Sequence, residues 1–268
     1  MKGVIFMAVK AQGAPTKEFF VGMLTRDIEL SDAILDLLDN CLDGVVRQKK
    51  GIDKTTTSDY YVGFFSHISI SKDSFIIEDN CGGIPKDVAE KYAFRMGRSS
   101  AKEAEDLPTV GIYGIGMKRA IFKIGKSAVV FTRNNKSLYK VTIPEDWAND
   151  EDEWDFPMEN LDSTDLLVDG GTKIDISNIN PRIAETWGTE DKLDVFVNGL
   201  IKSIQQSYSF IIQKGFEIEI NGQRIAPLPI KLLLDDKDTT SIKPFLYQQT
   251  FATVYKGNII KNLIMDCQ

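Results

Sequence analysis

Residues 110–133 read VGIYGIGMKRAIFKIGKSAVVFTR, and the order of elements in this stretch sets the architecture. Gly111, Gly114 and Gly116 make a Gly-x-x-Gly-x-Gly turn that opens directly into a predicted helix, Met117 to Ile124. Two predicted strands follow, Ala128–Thr132 and Leu138–Ile143, joined by a turn at Asn134-Asn135. Glycines let successive backbone N–H groups converge on an anion, and a helix N-terminus adds partial positive charge. Lys118 and Arg119 stand in the first helical turn, where cations oppose the helix dipole, so an anionic ligand would relieve the conflict. The same glycines serve equally well as a structural turn. The Gly-Lys-Ser/Thr of a Walker A loop is absent.

Upstream, the strongest helical pattern runs from Leu30 to Arg47. Leu30, Ile34, Leu37, Leu38, Cys41, Leu42 and Val45 recur every three or four residues and define one broad apolar face. The other face carries Asp32, Asp36, Asp39, Asn40 and Asp43, with Asp36, Asn40 and Asp43 in a narrow wedge. Like charges at this spacing repel by about 0.2–0.5 kcal/mol per pair, and no lysine offsets them on that face before Arg47. The wedge reads either as a solvated helix face or as a site where a divalent cation supplies the missing charge. Carboxylates with an oxygen-donating Asn suit Mg²⁺, and a carboxylate there could also orient and deprotonate a water.

Between these helices a hairpin is expected, with His67–Ser71 alternating, a turn at Lys72-Asp73, and Phe75–Ile77 leading into Glu78-Asp79. Asp79 then enters the loop Asn80-Cys81-Gly82-Gly83-Ile84-Pro85, and Lys86 to Phe94 reads as a short helix. An acceptor-only carboxylate matches the exocyclic amine of adenine and mismatches the carbonyl of guanine. The alternative is that Asp79 makes an Asx-type turn.

Downstream, residues 145–165 hold ten acids and no Lys or Arg, read as a solvated excursion with an acidic partner surface as the alternative. Gly170-Gly171-Thr172 starts a strand that runs to Ile179, a long amphipathic helix covers about 190–213, and Phe216–Ile220 is a strand closed by Asn221-Gly222. Residues 4–9 read as an N-terminal strand. This order lacks regular β-α-β alternation and fits an α+β, two-layer sandwich: a mixed, mostly antiparallel sheet with helices on one face.

Composition narrows the chemistry. The 268 residues carry a net charge of −7, so a general cationic surface for nucleic acid is absent. Three cysteines read as reduced thiols in a cytoplasmic setting rather than a disulfide framework, and Cys81 reads as a packing residue. One histidine, His67, leaves little material for a His-rich metal site or a Ser-His-Asp triad. No stretch reaches the length of a membrane span.

Taken in order, these pieces resemble the GHKL ATPases, the superfamily of the DNA gyrase ATPase subunit, the ninety-kilodalton heat-shock chaperones, histidine kinases and MutL. Asp36-Leu37-Leu38-Asp39-Asn40-Cys41-Leu42-Asp43 stands where the family has Glu-x-x-x-Asn followed by Asp. Asp79-Asn80-Cys81-Gly82-Gly83 matches Asp-x-Gly-x-Gly, Gly111–Gly116 matches the glycine lid, and Gly171-Thr172 matches the late Gly-Thr. The resemblance spans about residues 15–222, and residues 110–133 look most like the microrchidia (MORC) type and its prokaryotic relatives. Histidine kinases fit poorly, because their phospho-acceptor histidine sits on a helix and His67 reads as strand.

The resemblance implies a Bergerat fold binding ATP and Mg²⁺. Asn40 would hold the Mg²⁺, and Asp79 would bond the adenine amine with Thr172 and a water in support. Gly83 would let the backbone approach the base. Gly111, Gly114, Gly116 and the N–H groups near Met117 and Lys118 would wrap the phosphates. Asp43, Ile84 and Ile115 complete the expected nucleotide-contacting set. The general base, a Glu in the family, is here Asp36, one methylene shorter, and Cys81 stands where the loop's first glycine usually is. The resemblance further implies ATP hydrolysis, lid closure and an ATP-dependent homodimer, in a DNA-linked or defence setting. A non-hydrolysing, ATP-gated interaction module is the alternative. Residues 1–222 would be the ATP-binding domain, with 1–14 as a strap. Residues 223–268 would begin a following region, an incomplete transducer in which Lys231, Lys237 and Lys243 cannot be matched to the family's phosphate-contacting lysine.

Overall fold

The computed structural model describes residue 11 and residues 13–96, 115–134, 137–162 and 170–228, together with the backbone of 247–255 and 258–267. The strand expected at residues 4–9 and lid glycines Gly111 and Gly114 lie outside the described residues. The chain divides into two units, 1–228 and 229–268.

In the first unit, helices α1 (Lys17–Thr25) and α2 (Leu30–Gln48) precede the hairpin β1 (Phe65–Ile70) and β2 (Phe75–Asp79). A short helix α3 (Lys86–Val88) continues as a π-helical turn over Ala89–Ala93. Then come α4 (Gly116–Ile124), β3 (Gly125–Asn134), β4 (Ser137–Ile143), a 3₁₀ turn (Glu145–Asn149) and β5 (Met158–Asn160). The unit closes with β6 (Thr172–Ile179), α5 (Pro181–Trp187), α6 (Glu190–Gln213), β7 (Glu217–Ile220) and β8 (Gln223–Arg224).

The eight strands form one sheet in the order β5-β4-β3-β6-β2-β1-β7-β8. Every pairing is antiparallel except β1 with β7, so the sheet is mixed and mostly antiparallel, as expected. Along the strands alternate residues are buried: Ser66, Ile68 and Ile70 on β1, Phe75 and Ile77 on β2, Val130 on β3, Ile174 and Ile176 on β6, Ile218 and Ile220 on β7. This period of two gives the sheet one face for the core and one open face. The helices take the core face, with α4 on β3 and β6, α6 on β7, and α2 against both α4 and α6.

Local chemistry fixes the helix ends. Asn180 caps α4, its Nδ2 donating to the carbonyls of Phe122 at 2.8 Å and Lys123 at 2.9 Å while its backbone N–H donates to Ile124 at 3.0 Å. The last carbonyls of α4 thus find partners at the turn between β6 and α5. Thr189 accepts from the Lys192 N–H at the start of α6, and Thr16 from the Phe19 N–H at the start of α1.

Residues 145–160 expose their acids to solvent, as expected of so acidic a segment, but the segment is anchored by the aromatic residues between them. Trp147 is buried and stacks on Phe122 of α4 with ring centroids 5.3 Å apart, and β5 joins the sheet edge. Lys17, fully buried, donates its ammonium to the carbonyls of Trp147 and Glu153 and lies 4.2 Å from the Trp147 ring centroid. Aromatic residues among the acids supply the burial, and a lysine from α1 supplies the charge.

The second unit contains β9 (Tyr247–Tyr255) and β10 (Asn258–Cys267), paired antiparallel with an irregularity between Lys261 and Ile264. Among the described residues no helix is long and apolar enough to cross a membrane.

Candidate functional site

The apolar stripe of α2 seats the helix on the core, with Ile34, Leu37, Leu38, Cys41 and Val45 buried. That packing leaves the acidic wedge on the helix flank, where its members separate. Asn40 is exposed, Asp36 and Asp39 are partly buried, and Asp43 is buried at 4% exposure. The positive charge that α2 lacks comes from α4: Arg119 Nη2 donates to Asp36 Oδ2 at 2.5 Å, with both side chains about a third exposed. Arg119 Nε is buried and finds no hydrogen-bond partner among the described residues. Gly116, the first residue of α4, faces the same carboxylate, since a Cβ there would lie 3.6 Å from Asp36 Oδ2. Asp39 is held from α6, accepting from the Tyr208 hydroxyl at 2.7 Å. Burial raises the Asp39 pKa, the Tyr208 hydrogen bond lowers it, and the charge of Asp36 raises it further.

Asp79 ends β2 almost fully buried. Its Oδ1 accepts from the Cys81 N–H at 2.7 Å, the Asx-type turn that the sequence left open, and the Cys41 thiol lies 3.5 Å from Oδ2. Across the sheet Asp79 is in register with Thr172, whose N–H also bonds the carboxylate. Burial pushes the Asp79 carboxyl up to about 6, against the pull of the Cys81, Cys41 and Thr172 hydrogen bonds and the charge of Arg47. Cys81 and Cys41 are buried thiols, and burial pushes both pKa values upward, as suits packing residues rather than nucleophiles.

The loop after Asp79 is pinned on three sides. Asn80 accepts from the Phe65 N–H and donates to the Gly63 carbonyl, both at 2.8 Å. Gly83 has φ +65°, and a Cβ there would come within 2.2 Å of the Arg133 carbonyl oxygen, so this glycine admits the end of β3. Ile84 donates its N–H to Thr132 Oγ1 and accepts from the Tyr139 hydroxyl, each at 2.7 Å. Both backbone groups of Ile84 are therefore engaged within the protein. Gly44 of α2 packs where a Cβ would meet the Cys81 carbonyl oxygen at 2.2 Å.

Of the lid residues, Ile115, Gly116 and Met117 are described and half-buried. Lys118 is not displayed toward solvent: it is buried and its ammonium donates to the Ala93 carbonyl at 2.8 Å. With Arg119 on Asp36, both first-turn cations of α4 have partners inside the fold. The structure thus joins Asp36 and Gly116 in one place, and Asp79, Gly83, Ile84 and Thr172 in another around the ends of β2, β3 and β6. Thr132, Tyr208 and Gly44 were invisible as site residues, and Arg119, read as a cation awaiting an anionic ligand, pairs instead with Asp36, because each acts on a partner far away in sequence.

This arrangement, a two-layer sandwich with an acidic helix flank and a glycine-rich approach to a second helix, defines a class. Residues 28–172, more than half of the chain, match the family described as histidine kinase-, DNA gyrase B- and HSP90-like ATPase. The chain belongs to this family, whose shared property is ATP binding. Over 107 residues, 40% of the chain, it is 33% identical to the mouse MORC family CW-type zinc finger protein 3, of which it covers 10%. That similarity agrees with the MORC-like character of residues 110–133.

Proposed function

We propose that the first unit binds Mg²⁺-ATP and hydrolyses it. The observation that carries this reading is the convergence of Asp36 on α2 with Gly116 at the opening of α4, in a chain of an ATPase family. The phosphates would lie at the start of α4, where N–H groups point outward and the dipole is positive. Asp79 would accept from the adenine amine, with Thr172 beside it in register. Asn40, exposed one helical turn from Asp36, offers an oxygen donor for an Mg²⁺ that would keep most of its waters and bridge to the phosphates. The metal's contribution is to neutralise phosphate charge. Asp36 then orients and deprotonates the attacking water, and the rest of the rate rests on positioning. Ordering of the lid and pairing of two copies would follow triphosphate binding, and resemblance to MORC-type proteins supports a DNA-linked or defence role.

A second reading is supported by the 2.5 Å contact between Arg119 and Asp36 and by the short aspartate. It is a module that binds ATP as a signal without turning it over. Single-turnover hydrolysis with Mg²⁺ separates the two. We expect turnover in the wild type, loss of about 100-fold or more in Asp36→Ala, and ATP binding in both. Equal rates in the two would remove Asp36 as the base, and binding without turnover in wild type and Asp36→Glu alike would favour the signalling module. Asn40→Ala should weaken binding only when Mg²⁺ is present. Sedimentation with a non-hydrolysable analogue tests pairing, for which a persistent monomer is the contrary result.

A further inference from the structure

The open face of the sheet, opposite the α2 side, carries a cluster that ATP chemistry does not use. β1 and β7 pair in parallel with His67 opposite Glu219 and Phe65 opposite Glu217. Side chains two apart on a strand share a face, so His67, Glu217 and Glu219 project together. One ligand atom from each lies within 4.8 Å of the others.

Two further contacts prepare the group. The His67 imidazole stacks on Phe65, centroids 4.3 Å apart and planes 20° from parallel, which fixes the ring orientation. Its Nε2 is shielded from solvent and has no hydrogen-bond partner among the described residues, standing at ion-pair distance, 3.7 Å, from Glu217 Oε1. Glu217 Oε2 meanwhile takes an ion pair from Arg224 Nη2 at 2.9 Å. Arg224 thus holds one oxygen of the carboxylate and leaves the other turned to the imidazole, the outer contact that orients metal-binding carboxylates.

We propose that His67, Glu217 and Glu219 bind a borderline divalent cation, Zn²⁺ by preference. An imidazole nitrogen that makes no hydrogen bond yet faces two carboxylates can accept a metal in place of a proton, and one nitrogen with two carboxylates suits zinc or cobalt better than oxygen-seeking magnesium or calcium. Three protein ligands leave a fourth position for water. The ligand atoms need to close to about 3.3 Å, the edge of a tetrahedron with bonds of about 2.0 Å. The cation would staple β7 to β1, strands contributed by distant parts of the chain, and this holds whether or not the domain hydrolyses ATP.

The test uses the full chain, stripped of metal, with Zn²⁺ alone and then Co²⁺ as probe. His67 is the only histidine in the sequence, so long-range imidazole ¹⁵N NMR reports directly on it. We expect one equivalent of Zn²⁺ to shift the His67 nitrogen signals and raise the thermal midpoint. His67→Gln and Glu219→Gln should each lose at least about tenfold in affinity, while Asp73→Asn, on the turn between β1 and β2, should lose none. Co²⁺ should give tetrahedral d–d absorption without a thiolate charge-transfer band. Unmoved His67 signals at saturating zinc overturn the proposal without any variant. So does a cobalt spectrum showing cysteine ligation, or unchanged affinity in His67→Gln whose circular dichroism matches wild type.

Discussion

Arg119 of α4 donates to Asp36 of α2 at 2.5 Å, so one carboxylate on the acidic face of α2 is neutralised by a cation from the helix that follows the glycine lid. The contact couples the proposed base to the element that would move with the phosphates. Arg119→Ala should cost about 0.5–1 kcal/mol, because both partners are about a third exposed and solvent screens the pair. That corresponds to a fall of about 1–4 °C in midpoint. The uncompensated carboxylates should then respond to cations, so millimolar Mg²⁺ should recover more stability in Arg119→Ala than in wild type. Differential scanning fluorimetry with and without Mg²⁺ checks this, and equal recovery in both proteins would count against it.

Asp79 should make stability fall as pH rises from about 4 to about 6. Its folded pKa of about 6 lies above the ordinary 3.8, so in that window the folded state holds a proton the unfolded state has released. The penalty is absent below the lower value and complete above the upper one, amounting to about 2–3 kcal/mol. Asp79→Asn removes this component. The difference in urea-unfolding free energy between wild type and Asp79→Asn should therefore change by that amount across the window, in favour of the variant at higher pH. In the proposed function the same variant should lose ATP binding, since an amide presents a donor where the adenine amine needs an acceptor.

Those two residues show what a sequence displays and what it withholds. α2, the β1–β2 hairpin, α4 and α6 were legible because apolar periodicity is local, and each runs within two or three residues of its expected bounds. Helix α1 was missed because it inverts the usual pattern: Lys17 is buried while Phe19 and Met23 are exposed. The parallel pairing of β1 with β7 joins residues about 150 apart, and nothing in either strand announces it. Asp36 was legible as a candidate from its motif position, whereas its partner Arg119 lies 83 residues away. Asp79 was read both as a ligand-binding acid and as a turn former. The fold uses it for the turn, through Oδ1.

Lys17 is expected to be a costly charge to remove from the first unit. Its buried ammonium serves the carbonyls of Trp147 and Glu153, and Lys17→Met keeps the stem but leaves those acceptors without a donor. A buried unsatisfied acceptor costs about 1–3 kcal/mol, so we expect a loss of about 2–4 kcal/mol in urea unfolding. Hydrogen exchange should quicken in α1 and in residues 145–156 together. Fast exchange confined to α1 would show that the acidic segment holds its place without the lysine.

Gly44 links the stability of α2 to the shape of the Asp79 loop. A methyl group at this position would stand 2.2 Å from the Cys81 carbonyl oxygen, well inside contact distance. In the middle of a helix alanine is intrinsically better than glycine by about 1 kcal/mol, so propensity alone predicts that Gly44→Ala stabilises the protein. The clash predicts the opposite, a loss of about 1–3 kcal/mol as helix or loop shifts to make room. We expect the clash to dominate, because the opposing atom is backbone and the loop is held by the hydrogen bonds of Asn80 and Asp79. Gly22, whose added Cβ would meet nothing within 4 Å on α1, is the matched control and should gain stability as alanine. Thermal unfolding of the two variants decides between the terms. If nucleotide is bound as proposed, ATP affinity should fall in Gly44→Ala and stay unchanged in Gly22→Ala.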